Sequence, residues 1–135
     1  MAVGGDILTL TCKHPTVGTV NLLGKASEDS TFDLGGFRSS DDMNMIDGGG
    51  NMIDQINRSR WCVECTISND MNVKQELEKL TKLAESPVSG NWTITHINGT
   101  VYRGNGKPVG DLKANGNQAT IPLKISGGGK LEQLT

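Results

Sequence analysis

The stretch Trp61-Cys62-Val63-Glu64-Cys65 is the first whose residue types suggest chemistry. It matches the Trp-Cys-x-x-Cys pattern of redox enzymes, in which the first cysteine sits at a helix N-terminus and the dipole lowers its pKa. Here, however, Arg60 to Ile67 alternates apolar and polar residues, as a strand does. Cys62 and Cys65 then point to opposite faces and cannot close the tight redox pair. Zinc is the second chemistry to consider, since Cys12-Lys13-His14 together with Cys62 and Cys65 nominally provides four ligands. Structural zinc sites draw ligands from turns and knuckles, and a strand-borne pair on opposite faces is poorly placed for a tetrahedron. Cys12 and Cys65 are therefore expected as small core residues, and Cys62 on the more polar face.

His14 and His96 are the two histidines. His96 shares an alternating segment with Trp92 and Ile94, which suits a structural role. Asp41, Asp42 and Asp47 could chelate a cation, but no spaced oxygen-ligand loop surrounds them. Gly104-Asn105-Gly106-Lys107-Pro108 and Gly127-Gly128-Gly129-Lys130-Leu131 lack the spacing and the following Ser/Thr of a phosphate loop. No nucleophile, base and orienting partner declare themselves as a set. The expectation is a protein that is not an enzyme, with no cofactor and no metal.

These residues need a scaffold, and the composition limits it. At 135 residues and 35% hydrophobic, the chain suits one domain over 1–135 with one modest core. Its 18 glycines imply many turns, and with only two Phe, two Trp and one Tyr the core must come from Val, Ile, Leu and Met. A formal charge of −2 without a Lys/Arg cluster argues against sequence-reading of nucleic acid. Met1 to Leu10 lacks a secretory pattern, and no run approaches the roughly 18 apolar residues of a membrane span. A cytoplasmic protein without membrane anchoring is expected, so the Asn-x-Ser/Thr triplets at Asn57, Asn91 and Asn98 carry no glycosylation meaning.

Ile7 to Cys12 alternates, with Leu8, Leu10 and Cys12 on one face, and Thr16 to Leu23 reads as its hairpin partner across His14 and Pro15. From about Gly24 to Asn57 the periodicity dissolves into a long loop containing Gly48-Gly49-Gly50. Loops this long need a reason. Phe32, Leu34, Phe37, Met43, Met45, Ile46, Met52 and Ile53 are apolar residues that a solvated linker would rarely hold, so this segment packs back on its own domain or docks on another chain. Arg60 to Ile67 is a strand. Asn72 to about Ser86 predicts the one helix, with Asn72 as cap, Gln75 at the third position, an apolar stripe of Val73, Leu77, Leu80, Leu83 and Ala84, and Pro87 as the stop. A meander follows: Trp92 to Ile97, a turn at Asn98-Gly99, Thr100 to Arg103, a turn at Gly104 to Gly106, Val109 to Lys113, a turn at Asn115-Gly116, and Ala119 to Ile125. Pro122 removes a ladder donor and marks an edge or bulge. The tail 127–135 is expected to be mobile or to reach another subunit.

This order of elements, together with the stretch Asn98 to Gly129 (Gly-Asp-Leu, Ala-Thr-Ile-Pro-Leu, then Gly-Gly-Gly-Lys), resembles tail tube proteins of contractile-tailed bacteriophages. The resemblance spans Ile7 to Lys130 and rests on architecture rather than on an invariant signature. It implies a mainly β fold, an antiparallel barrel-like β-sandwich with a helix on its flank. It further implies hexameric rings joined by strand edges and stacked into a hollow tube for DNA ejection. The segment after the first hairpin would then reach a neighbouring subunit, making Phe32, Phe37, Arg38, Asp41, Asp42, Met43, Met45 and Ile46 candidate contacts by position. The implied partners are copies of the chain itself, tail sheath, baseplate and tail terminator proteins, and DNA passing without sequence preference. The implied location is the virion tail, assembled in the host cytoplasm. Cys12 and Cys62 are candidates for an inter-subunit disulfide in the released particle. Other ring proteins of this architecture, such as a tail terminator, a baseplate ring or a type VI secretion tube, fit the same pattern. A β ligand-binding module would instead expose Trp61, Trp92 and Tyr102 together as a platform.

Overall fold

The computed structural model describes residues 1–39, 44–70 and 76–134. The fold is mainly β, with antiparallel pairing throughout and one helix. In chain order the elements are β1 (Ile7–His14), β2 (Gly18–Leu23), β3 (Thr31–Asp33), β4 (Gly36–Ser39), β5 (Met45–Ile46), β6 (Met52–Ile53) and β7 (Ile56–Ser59). They continue with β8 (Trp61–Ser68), α1 (Glu76–Glu85), β9 (Gly90–His96), β10 (Val101–Pro108), β11 (Thr120–Gly127) and β12 (Glu132–Gln133). Eight strands make the main sheet, in the order β2-β1-β9-β10-β11-β8-β3 with β12 added on β10. The sheet curls: just past β2, Gly24 bridges to Ile67 on β8, and the Lys25 N–H donates to the Thr66 carbonyl at 2.9 Å.

Alternation builds this sheet. On β8, Trp61, Val63, Cys65 and Ile67 are buried, as the period of two predicts. β1 departs from its expected phase at one point. A bulge between Ile7 and Thr9 in its pairing with β9 inserts a residue. Ile7 thus turns inward and Leu8 is left 45% exposed, while Leu10 and Cys12 keep the expected face. On α1, Leu80 and Leu83 are buried and Leu77 packs beside them, and Glu78 reaches Lys82 at 3.3 Å. The expected cap Asn72, with Val73 and Gln75, lies outside the described residues. No described helix is long and apolar enough to cross a membrane.

Gly104-Asn105-Gly106 forms no turn; β10 runs straight through it. The glycines are there because Trp61 is. A Cβ on Gly106 would stand 2.5 Å from Trp61 Cζ2, and one on Gly104 3.2 Å from the same indole. Gly127 on β11 completes this slot, its would-be Cβ 2.8 Å from Trp61 Nε1. The indole N–H donates to the Asn105 carbonyl at 3.1 Å, and Trp92 donates to the next carbonyl, of Gly106, at 3.0 Å. Because β10 continues to Pro108, Val109 to Lys113 forms no strand. The chain returns through a turn in which Asn115 Oδ1 accepts the N–H groups of Asn117 and Gln118, each at 3.0 Å. β10 meets β11 only at Lys107–Ser126 and Pro108–Ile125, so the side of Pro122 away from β8 carries no ladder, which suits a residue without an N–H.

The end of the chain, expected to be mobile or to seek another subunit, folds onto its own sheet. β12 pairs with Tyr102 and Arg103, Lys130 bridges Gly35, and the Leu131 N–H donates to the Leu34 carbonyl at 2.9 Å. The cause is one side chain: Leu131 is 2% exposed and enters the core beside Gly104.

Candidate assembly surface

Strand β3 holds the edge of the main sheet against β8, and from there the chain leaves the body. Phe32 leans over Tyr102 and His96, with ring centroids 5.4 and 6.1 Å apart, and stays 40% exposed. The departure is made by Gly35 and Gly36, both with positive φ (73° and 95°), a conformation that side-chain-bearing residues rarely adopt. A Cβ on Gly35 would also meet the Trp61 amide nitrogen at 2.7 Å. Asp33 secures the corner: its carboxylate accepts the Gly35 N–H at 2.9 Å and both guanidinium nitrogens of Arg38. The Arg38 hydrogen bonds, followed by the Gly35 N–H, hold the Asp33 carboxyl below its usual range.

Beyond this corner the segment expected to be a long loop is a two-stranded arm. β4 pairs with β7 in the register Phe37–Arg58 and Ser39–Ile56, and the Arg58 guanidinium lies 5.0 Å from the Phe37 ring centroid. Further out, β5 pairs with β6, Met45 opposite Ile53 and Ile46 opposite Met52. Asp47 makes the tip turn: Oδ1 accepts the N–H groups of Gly49 at 2.9 Å and Asn51 at 3.0 Å, and Gly50 supplies a φ of 84°. Asn44 Oδ1 accepts the Gln55 N–H at 2.9 Å at the base of the tip.

Every residue from 45 to 58 is exposed. That includes Met45 (59%), Ile46 (74%), Met52 (65%), Ile53 (44%) and Ile56 (62%), with Phe37 (64%) on the opposite strand of the arm. A lone two-stranded ribbon is marginal in water, and this one holds large apolar side chains in solvent on both of its faces, Met45 with Ile53 on one and Ile46 with Met52 on the other.

Of the expected contact residues, Phe37, Met45 and Ile46 project from the arm, Arg38 turns back to Asp33, and Phe32 stays on the main sheet. Asp41, Asp42 and Met43 lie outside the described residues. Met52 and Ile53, named among the apolar residues of this segment but not among the candidate contacts, and Ile56, which was not named, are exposed on the arm as well. A signal for the first two was present, because Asn-Met-Ile-Asp occurs twice, at 44–47 and 51–54, on either side of Gly48-Gly49-Gly50. Two copies of one tetrapeptide around a glycine turn spell a hairpin.

The thiols divide as their faces predict. Cys12 and Cys65 are buried, and burial pushes both thiols up to about 11, while Cys62 is half-buried. Cys12 is 0% exposed, so the expected inter-subunit bridge through it is out of reach without unfolding. Among the described residues, no three His, Cys, Asp or Glu side chains converge on a metal-sized site. Trp61 and Trp92 are fully buried, so with Tyr102 they form no exposed platform. No protein-family model matches the chain, and no curated protein matches it.

His14 organises a second feature, on the far side of β1. Its ring is 5% exposed; Nδ1 accepts the Thr16 and Val17 N–H groups, both at 3.1 Å, and Nε2 donates to the Val88 carbonyl at 2.8 Å. These bonds fix the Nε2–H tautomer and tie the β1–β2 turn to the segment following α1. Between turn and helix lies a groove of about 620 Å³, with Val17, Pro87 and Val88 as its apolar wall and Lys79, Lys82 and Glu85 as its polar rim.

Proposed function

We infer that this chain is a structural subunit that assembles with itself, as tail tube proteins of contractile-tailed bacteriophages do, into rings that stack around a channel for DNA. The observation that carries this reading is the arm, a folded ribbon that holds apolar side chains in water. Covering its six large apolar residues, Phe37, Met45, Ile46, Met52, Ile53 and Ile56, at about 1.5–3 kcal/mol each yields on the order of 10 kcal/mol gross. Immobilising a partner costs roughly 4–15 kcal/mol. A single arm contact is therefore weak, and a closed ring, in which every copy gives one arm and receives another, multiplies it.

The outward face of β1, β9 and β10 fits the channel wall of such a ring. Thr11, Asn91, Thr93 and Asn105 are uncharged and polar, while Lys13, Arg103 and Lys130 outnumber Glu132 on the same surface. Such a wall would touch a polyanion through weak, salt-dependent contacts that read no sequence. Sheath, baseplate and terminator proteins would meet the outside and the two ends of the tube, and the virion tail would be its location.

The chain expressed alone, concentrated, and viewed by negative-stain electron microscopy beside light scattering on a sizing column tests this reading. Hollow rings or stacked tubes are the expected result. Rings that never stack would move the chain to a ring protein such as a terminator, and a monomer at every concentration and in the presence of preformed tail ends would overturn the reading.

A further inference from the structure

We propose that the tip of the arm seats in the groove between α1 and the β1–β2 turn of a second copy, so that the contact runs head to tail. This rests on the self-assembly reading and names both halves of the contact. The tip offers one exposed apolar pair on each face, Met45 with Ile53 and the more exposed Ile46 with Met52, and it is the Ile46–Met52 face that would enter the groove. The groove offers Val17, Pro87 and a 49% exposed Val88. Its walls are already in place: His14 ties turn to loop, Ser86 Oγ accepts the Val88 N–H at 3.2 Å, and the Ser86 N–H donates to the Lys82 carbonyl at 3.1 Å. A preformed acceptor avoids the ordering cost that weakens most small contacts.

Charge selects the pairing. The tip carries Asp47 and Asp54, whereas the groove rim carries Lys79 and Lys82 against Glu85, with Lys82 also paired to Glu78 at 3.3 Å, so that Lys79 is the main cation offered. Two tips meeting symmetrically would crowd four carboxylates; a tip in a groove meets opposite charge. Two other grooves are of similar size: one is lined by Lys13, Asn91, Thr93, Arg103 and Glu132, the other by Lys25, Glu28, Lys113, Asn115 and Gln118 with Pro122, and neither has a wall of Val and Pro to receive Met and Ile side chains. A contact between different patches of identical chains closes into a ring or continues as a filament.

The test uses the full chain with Cys62→Ser. One batch adds Met52→Cys, another Val88→Cys; each alone and a mixture of the two still-reduced chains are treated with the same oxidant and run on non-reducing gels. The expected result is a crosslinked pair mainly in the mixture. In parallel, Val88→Asp is expected to raise the concentration for half-assembly about tenfold or more with an unchanged melting temperature. Lys79→Glu and Asp54→Lys are each expected to raise it about fivefold, and their combination to restore most of the loss. Wild-type chain that assembles while Val88→Asp assembles equally well, with no crosslink in the mixture, overturns the groove and leaves self-assembly standing. Wild-type chain that stays monomeric and uncrosslinked overturns both.

Discussion

The main sheet and the arm are both antiparallel β and draw on the same apolar residue types, yet they treat them oppositely. On β8 every second residue is buried; from 45 to 58 none is. The sheet satisfies its side chains within the chain, whereas the arm satisfies only its backbone. If the chain assembles as proposed, stability and assembly fall to different residues, and substitutions can separate them.

The largest effect is expected in the sheet. Trp61→Ala leaves a cavity walled by Gly104, Gly106 and Gly127, and should cost about 3–5 kcal/mol in urea unfolding. His14→Ala should come next, at about 1–3 kcal/mol, since it strands two N–H groups and a carbonyl. Either variant keeping wild-type stability would break the contrast. The thiols sharpen it by pH. The folded chain keeps the Cys12 and Cys65 protons up to about 11, where the unfolded chain releases them from about 9.0. Unfolding therefore releases protons in that window, and stability should fall as pH rises through it. At neutral pH an alkylating reagent followed by mass spectrometry should mark Cys62 and spare the other two until urea is added.

Effects on stability then become small at the corner and vanish on the arm. Asp33→Asn should remove a contribution that is present above pH 3.8 and lost as pH falls below it, because the folded carboxyl titrates lower than the unfolded one. The pair is exposed, so the change should be visible only as a shallower acid limb in a pH series of thermal melts. Ile46→Ser and Ile56→Ser should leave the unfolding free energy of the dilute chain within about 0.5 kcal/mol of wild type. Their effect should be confined to assembly measured by light scattering, and a large loss of monomer stability would show that the arm packs on its own body.

The sequence made legible whatever rests on a sustained period. Alternation along β8, the first hairpin, the stripe of α1 and the buried face of β11 all follow from it. The arm stayed hidden because its ladders are two to four residues long and both faces meet water, so no alternation develops. Leu8 was assigned to the wrong face because a bulge leaves no trace in composition. The glycines of β10 read as a turn because their reason, a tryptophan more than 40 residues away in the chain, is visible only in three dimensions. Leu131 was overlooked for a similar cause: two leucines three apart in a polar tail make no pattern, yet the buried one fastens β12. The same long-range logic limited the candidate residues: Phe37, Met45 and Ile46 lie on the arm, Met52 and Ile53 read only as apolar residues of a loop, and Ile56 came with the register.

The two indoles bear on how the molecule can be watched. Both are fully buried, and they donate to consecutive carbonyls of one strand, while the arm contains no tryptophan. Their fluorescence should be blue-shifted and resistant to soluble quenchers for as long as β10 stays docked, and should pass unchanged through ring formation. The protein thus contains its own optical reporter, sensitive to unfolding and blind to association, with which the two events can be timed separately in one cuvette.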